Sequence, residues 1–257
     1  MKQHFEKQRL DKLLVDRSLA ASRERAQAMI LAGRVLVEEQ RIDKPGTPVA
    51  AEAAIRLLGE DLRYVSRGGL KLEAALTTWR IPVEGLAAAD IGASTGGFTD
   101  CLLQHGASSV LAVDTGYGQI HHKLRSDPRV TLLERTNARL LTPGELLSLS
   151  PQPIRFIAID VSFISATLVL PAVTAALAAA GERWRGEAVL LVKPQFEAGR
   201  EYVGKGGIVR DPAAHQLAIE RVSNAARALG GQVLATIDSP ILGMEGNREF
   251  LLHLRWA

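Results

Sequence analysis

The run Ala88-Ala89-Asp90-Ile91-Gly92-Ala93-Ser94-Thr95-Gly96-Gly97-Phe98-Thr99 constrains this chain more than any other stretch. It reads as a strand that passes through a glycine-rich turn into a helix. Glycines at such a turn let the backbone approach a ligand, because no Cβ stands in the way. The residues downstream keep the same rhythm. Strand-like runs at 87–91, 110–113, 130–133, 156–159, 188–192, 233–237 and 250–254 alternate with helical ones, among them 98–105 and 212–229. Alternation of this kind predicts an α/β fold with a mostly parallel, Rossmann-like sheet and helices on both faces. The last two strands are separated only by a loop, which predicts an antiparallel last strand. In a doubly wound sheet, ligands bind in the crevice at the carboxyl ends of the strands.

The glycine spacing excludes a dinucleotide fingerprint, since Ser94 stands where G-x-G-x-x-G needs its second glycine. The pattern present is D-x-G-x-x-x-G-G, which class I methyltransferases place around the methionine portion of S-adenosylmethionine. Asp90, Gly92, Ala93, Ser94, Thr95, Gly96, Gly97, Phe98 and Thr99 are therefore candidate cofactor residues. Asp114 closes the next strand, where a carboxylate can accept from both ribose hydroxyls, and Asn137 follows the third. One rival reading uses the same turn. Gly92 to Gly96 also satisfies G-x-S-x-G, the nucleophile elbow of α/β-hydrolases, with Asp238 and His253 following in that order. Against it, the elbow would follow the first strand of its sheet, and Asp114 would have no role.

Two further strands end in reactive groups, Asp160 in Asp160-Val161-Ser162-Phe163 and Lys193 in Lys193-Pro194-Gln195-Phe196-Glu197. Glu249 starts the final strand, and Lys71 precedes the sheet in Ser66-Arg67-Gly68-Gly69-Leu70-Lys71. Lysines among carboxylates suit methylation of a ribose 2′-hydroxyl, which must lose its proton as it attacks. A lysine can take that proton if a like charge or desolvation disfavours its ammonium form. Lys193 is the expected base, Lys71 the like charge, and Asp160 and Glu249 the groups that orient the lysines. Asp160 also counts among the cofactor residues. The rival acid Glu245 reads as a loop residue. Such chemistry needs no metal, and the adjacent His121 and His122 cannot share a helix face.

The first sixty residues form a separate α+β unit by their pattern. Leu10, Leu13 and Leu14 recur at helical spacing. Ser22 caps a second helix carrying Ala26, Met29 and Ile30, and Gly33 ends it. Segments 34–37 and 55–58 read as strands, and 44–48 as a loop. Composition adds only bounds. Net charge is +3, which permits a nucleic-acid partner without requiring one. The one cysteine, Cys101, excludes an intramolecular disulfide. Charges at Lys2, Glu6 and Lys7 argue against a signal peptide, so a cytoplasmic protein without stable membrane association is expected. Segment 161–181 carries no charge and could just span a bilayer. A strand end followed by a sheet-packed helix explains it better, and a membrane-lytic activity stays as the alternative it would support.

Taken together, the blocks at 90–99, 113–119, 134–139, 160–165, 193–197, 205–211 and 246–250 resemble the TlyA family of ribosomal RNA 2′-O-methyltransferases, once described as hemolysins. The resemblance covers nearly the whole chain. Its second half is similar to FtsJ-like enzymes, whose lysine–aspartate–lysine–glutamate tetrad falls here on Lys71, Asp160, Lys193 and Glu249. Residues 9–55 resemble the small RNA-binding domain first seen in a small-subunit ribosomal protein. The resemblance implies an S-adenosylmethionine-dependent cytidine 2′-O-methyltransferase whose partner is ribosomal RNA or a ribosomal subunit. Its expected domains are 1–60 for RNA binding, 61–67 as linker and 68–257 for catalysis. Arg9, Lys12, Arg23, Arg25 and Arg34 are expected to form one phosphate-binding face, with Arg67 beside the enzyme. The first 45 residues hold ten Lys/Arg against seven Asp/Glu, so charge alone would not single them out.

Overall fold

The computed structural model describes residues 7–20, 22–58, 63–179 and 181–257. The chain divides into two compact units, Met1–Asp61 and Leu62–Ala257. In the first, β1 (Lys7–Arg9) leads into α1 (Leu10–Asp16), followed by α2 (Arg23–Leu31), β2 (Val35–Val37), β3 (Gln40–Arg41), β4 (Pro48–Ala50) and β5 (Ile55–Leu57). Strand β2 lies between β3 and β5, all antiparallel, and β1 pairs with β4. Ser22 caps α2 as its sequence predicts, accepting from Arg25 N at 3.2 Å. Leu10, Leu13 and Leu14 on α1 meet Ala26, Met29 and Ile30 on α2 over Val35, Val37 and Val49. At each helix the apolar residues recur three and four apart, so one face of each turns inward.

A carboxylate beneath α1 ties this unit together. Asp11 is fully buried. It accepts from Arg9 at 3.0 and 2.8 Å, from Arg23 at 3.0 Å and from Gln27 at 3.0 Å. Arg9 above all, then Gln27 and Arg23, hold its carboxyl well below the usual carboxylate range, against the cost of burial. A depressed folded pKa adds stability above the unfolded value, about 4, and that stability is lost as pH falls. Thermal melts of the full chain should therefore show Asp11→Asn less stable than wild type at pH 7. The gap should narrow below about pH 4; a gap constant across that range would contradict the assignment.

The second unit opens with α3 (Gly68–Trp79). Then come β6 (Ala87–Ile91), α4 (Gly97–Gln104), β7 (Ser109–Val113), α5 (His122–Arg125), β8 (Val130–Leu133), β9 (Ile154–Ile159) and α6 (Ala166–Ala176). The unit ends with β10 (Gly186–Val192), α7 (Pro194–Glu197), α8 (Pro212–Ala228), β11 (Gln232–Asp238) and β12 (Phe250–Trp256). The seven strands lie in the order β11-β12-β10-β9-β6-β7-β8. All pairings from β10 to β8 are parallel, and β12 runs antiparallel to both of its neighbours. Alternate residues of each central strand face opposite cores. Ala89, Ile157 and Leu190 pack towards α6 and α8, while Ala88, Ala158 and Val189 pack towards α3 and α4. Sheets covered on both faces need this continuous apolar run. The chain winds to one side from β6 through β7 and β8, then crosses to β9 on the other, so the switch point lies between β6 and β9.

One expectation changes here, and another is met. Within 61–67, expected as linker, Tyr64 is 2% exposed and packs in the core beside α3 and α4. Val65 N donates to the buried Asp100 at 2.8 Å, so these residues belong to the second unit. Segment 161–181 becomes a loop and the eleven-residue helix α6, about half of what a bilayer needs. Among the described residues no helix is long and apolar enough to cross a membrane.

Candidate active site

The loops after β6, β7, β8 and β9 surround an open cavity of about 300 Å³ at the switch point. Gly92 has φ +89°, and a Cβ there would collide with the carbonyl of Asp160. The same backbone bonds across to Val113 O at 2.8 Å, and Asp160 N bonds to Ile91 O at 2.9 Å. Three strand ends are thereby pinned within one turn of chain. Ser94, also at positive φ (49°), donates its N–H to Asp114 Oδ2 at 2.8 Å, and Gly116 N donates to Oδ1 at 2.6 Å. These bonds fix the carboxylate yet leave each oxygen a lone pair for a diol. Asn137 lines the same cavity and bonds Arg139 N at 3.1 Å.

Behind the turn lies Asp90, fully buried, whose Oδ2 accepts from Thr99 Oγ1 at 2.6 Å. Oδ1 has no partner among the described residues. Burial pushes this carboxyl up to about 7, the Thr99 bond opposes the shift, and the charges of Asp160 and Asp114 add to it. The cofactor residues read from the sequence therefore divide. Gly92, Ser94, Asp114, Asn137 and Asp160 line the cavity, and Ala93 borders a small slot beside it with Ser94 and Asp114. Phe98 and Thr99 do not reach it. Phe98 packs in the core, 3% exposed, and Thr99 faces Asp90. Gly97 serves packing, because a Cβ there would strike Ser66 and Gly69 at the start of α3. Thr95 is exposed and bonds His121 N through its carbonyl at 3.1 Å, while Gly96, φ +94°, makes room for Leu124.

Lys193 Nζ lies 2.6 Å from Asp160 Oδ1 and donates to Ser162 Oγ at 2.6 Å. The first contact is an ion pair without hydrogen-bond alignment, for Asp160 Oδ1 has no hydrogen-bond partner among the described residues. Lys71 on α3 pairs with Glu249 at 2.5 Å, both buried. Its charge is thus met by Glu249, which offsets the like-charge effect expected on Lys193. Lys193 and Glu249 share a second cavity of about 240 Å³ with Gln195, Phe196, Asn247 and Glu245. Ser162 and Phe163 line both cavities and stand between them. Phe163 has φ +63°, is 85% exposed and lies 5.6 Å from the Phe196 ring, at 54°. Glu245, read as a loop residue, is exposed with φ +59°. Asn247 holds the loop after α7, accepting from Val209 N at 3.0 Å and donating to Gly207 O at 2.9 Å. Sequence reasoning misses Ser162 and Phe163, although they closely follow the strand-ending Asp160.

The hydrolase residues do not assemble. Asp238 pairs with Arg248 at 2.8 Å, while His253 bonds Glu187 at 2.6 Å and stacks on Trp79. No hydrogen bond among the described residues joins either to Ser94. In the first unit, Arg9 and Arg23 are half-exposed and committed to Asp11, and Arg34 donates to Leu58 O at 3.0 Å. Lys12 is exposed on α1, Arg25 is half-buried, and Arg67 is exposed at the start of α3.

A crevice at the switch point, a glycine too close to its neighbour for any side chain and an acid closing the next strand describe a nucleotide-cofactor site, and the D-x-G-x-x-x-G-G spacing makes it that of a methyltransferase that uses S-adenosylmethionine. The donor set fits that cofactor, with Asp114 placed for a diol. The chain belongs to the FtsJ-like methyltransferase family, whose model matches residues 64–256, and an S4 domain matches residues 8–55. It is 43% identical over 248 residues to the 16S/23S rRNA (cytidine-2′-O)-methyltransferase TlyA of Mycobacterium tuberculosis, covering 96% of this chain and 89% of that one. It is 39% identical over 245 residues to Hemolysin A of Brachyspira hyodysenteriae, covering 95% and 98%. A solved structure of a Streptococcus thermophilus protein carrying the hemolysin name superposes with a TM-score of 0.72 at 45% identity, covering 98% of this chain and 89% of that one.

Asp90 gives a pH test. Its carboxyl is raised in the folded state, so its contribution is full below the unfolded pKa and is lost as pH rises through about 7. Without cofactor, wild type should lose thermal stability between pH 5 and pH 8 more steeply than Asp90→Asn. Equal slopes would show that Asp90 is not the titrating group.

Proposed function

We propose that the chain methylates a ribose 2′-hydroxyl of ribosomal RNA, on a cytidine, with Lys193 as general base. The observation that carries this is the meeting of two cavities at one pair of charges: Asp160 lines one, Lys193 the other, and they lie 2.6 Å apart. Gly92, Ser94, Asp114, Asn137 and Asp160 hold S-adenosylmethionine in the first cavity. When bound, that cofactor supplies an electrophilic methyl on a sulfonium, which leaves as a neutral thioether. The acceptor nucleotide enters the second cavity, where Phe163 and Phe196 offer ring faces to an unstacked base. Lys193 Nζ takes the hydroxyl proton as the oxygen becomes a nucleophile. Glu249 holds Lys71 beside that cavity as a matched pair. The names of the relatives support ribosomal RNA and cytidine as substrate.

Lys12, Arg25 and Arg67, together with the outer faces of Arg9, Arg23 and Arg34, serve as phosphate contacts that hold folded RNA by its shape. Lys12→Glu should weaken RNA binding and flatten its dependence on salt, because phosphate contacts release counterions. Its affinity for S-adenosylmethionine should stay at the wild-type value. The decisive experiment incubates the protein with labelled S-adenosylmethionine and purified ribosomal subunits and maps the labelled nucleotide. Lys193→Ala should retain cofactor affinity by calorimetry while single-turnover methylation falls by roughly two to four orders of magnitude. Asp114→Ala should lose cofactor affinity instead. Label on a base rather than a ribose, or full activity in Lys193→Ala, would overturn the reading.

A further inference from the structure

Lys193 has two short neighbours, and they act on it differently. Asp160 Oδ1, at 2.6 Å, attracts the side chain as a charge but is not aligned to accept a hydrogen bond. Ser162 Oγ, also at 2.6 Å, accepts an aligned bond from Nζ. Coulomb attraction depends on distance and hardly on angle, whereas a hydrogen bond weakens steeply once misaligned. Charge therefore comes from Asp160, and direction comes from Ser162. Direction matters to a lysine that acts as a base. Once neutral, its nitrogen carries two N–H bonds and a single lone pair, and fixing one N–H restricts where the lone pair can point.

We propose that Ser162 is a positioning residue that aims the Lys193 lone pair into the acceptor cavity. Its place supports this. Ser162 lines both cavities, while Lys193 and Glu249 line only the acceptor side. The loop that carries it is anchored at both ends. Asp160 N bonds Ile91 O at 2.9 Å, and Ser165 and Ala166 bond the buried Glu197 at 2.6 and 2.7 Å. A hydroxyl on so short and doubly anchored a loop can impose an angle on the terminal amine of the buried Lys193, which the charge of Asp160 alone would leave unset. The proton then has one path, from the acceptor O–H to Nζ, and Ser162 itself neither gains nor loses one.

The inference rests on Lys193 being the base, and the test separates the two. Ser162→Ala, Ser162→Thr and Lys193→Ala are made in the full chain. Each is assayed for single-turnover methylation of ribosomal subunits, KM for the subunit, calorimetric affinity for S-adenosylmethionine, and Tm. Ser162→Ala should lose on the order of tenfold to a hundredfold in rate, the scale set by a misplaced catalytic group. Its KM and cofactor affinity should hold. Ser162→Thr, which keeps the hydroxyl, should recover most of the rate. Wild-type rate in Ser162→Ala, or no recovery in a folded Ser162→Thr, would each overturn the role of Ser162. Full rate in Lys193→Ala would instead remove the base on which it depends.

Discussion

At Gly92 the backbone of one strand end passes so close to the carbonyl of Asp160 that no side chain can stand between them. The rest of the site depends on that approach. It brings the loop after β6 against the loop after β9, at the switch point where the sheet opens a crevice. From the first loop comes the Ser94 bond to Asp114, and from the second come Asp160, Ser162 and Phe163. A wider gap would part the two cavities that Ser162 and Phe163 now join. The left-handed backbone at Gly92, Ser94 and Phe163 is the local cost of holding both loops in place.

Charge is distributed around this crevice with little waste. Lys71 and Glu249 are both buried and cancel one another. A buried pair of this kind adds little net stability, but removing one partner strands the other. The second pair, Lys193 and Asp160, stands at the boundary of the two cavities, with one member lining each. Behind them Asp90 is held near neutrality by burial. One pair thus lies buried, and the other stands where the two cavities meet.

How much of this is legible in the sequence depends on the length of each signal. Strands β6 and β8 match the sequence reading to the residue, because their mainly apolar runs stop at Gly92 and between Arg129 and Glu134. Asp160 and Lys193 are legible as reactive groups closing such runs. In the first unit β1, β3 and β4 escape notice, since two or three residues carry no periodicity. Asp11 looks like one more charge on a helix, and only the fold shows three side chains converging on it. Phe98 and Thr99 group with the cofactor because they continue the motif, yet a helix turns successive residues through about 100°, and theirs point inward. Tyr64 resembles linker because nothing in its neighbours reveals the space beside Gly69 that its ring fills.

The place of β12 has a bearing on how the molecule comes to exist. It is the latest of the seven strands in sequence, yet it lies between β10 and β11. The residue just before it, Glu249, is the partner of Lys71, 178 residues earlier. Strands β10 and β11 have no neighbour between them, and Lys71 no counter-charge, until the chain has been made through β12. Loss of these few residues would at once unpair two strands and leave a buried charge unmatched beside the site.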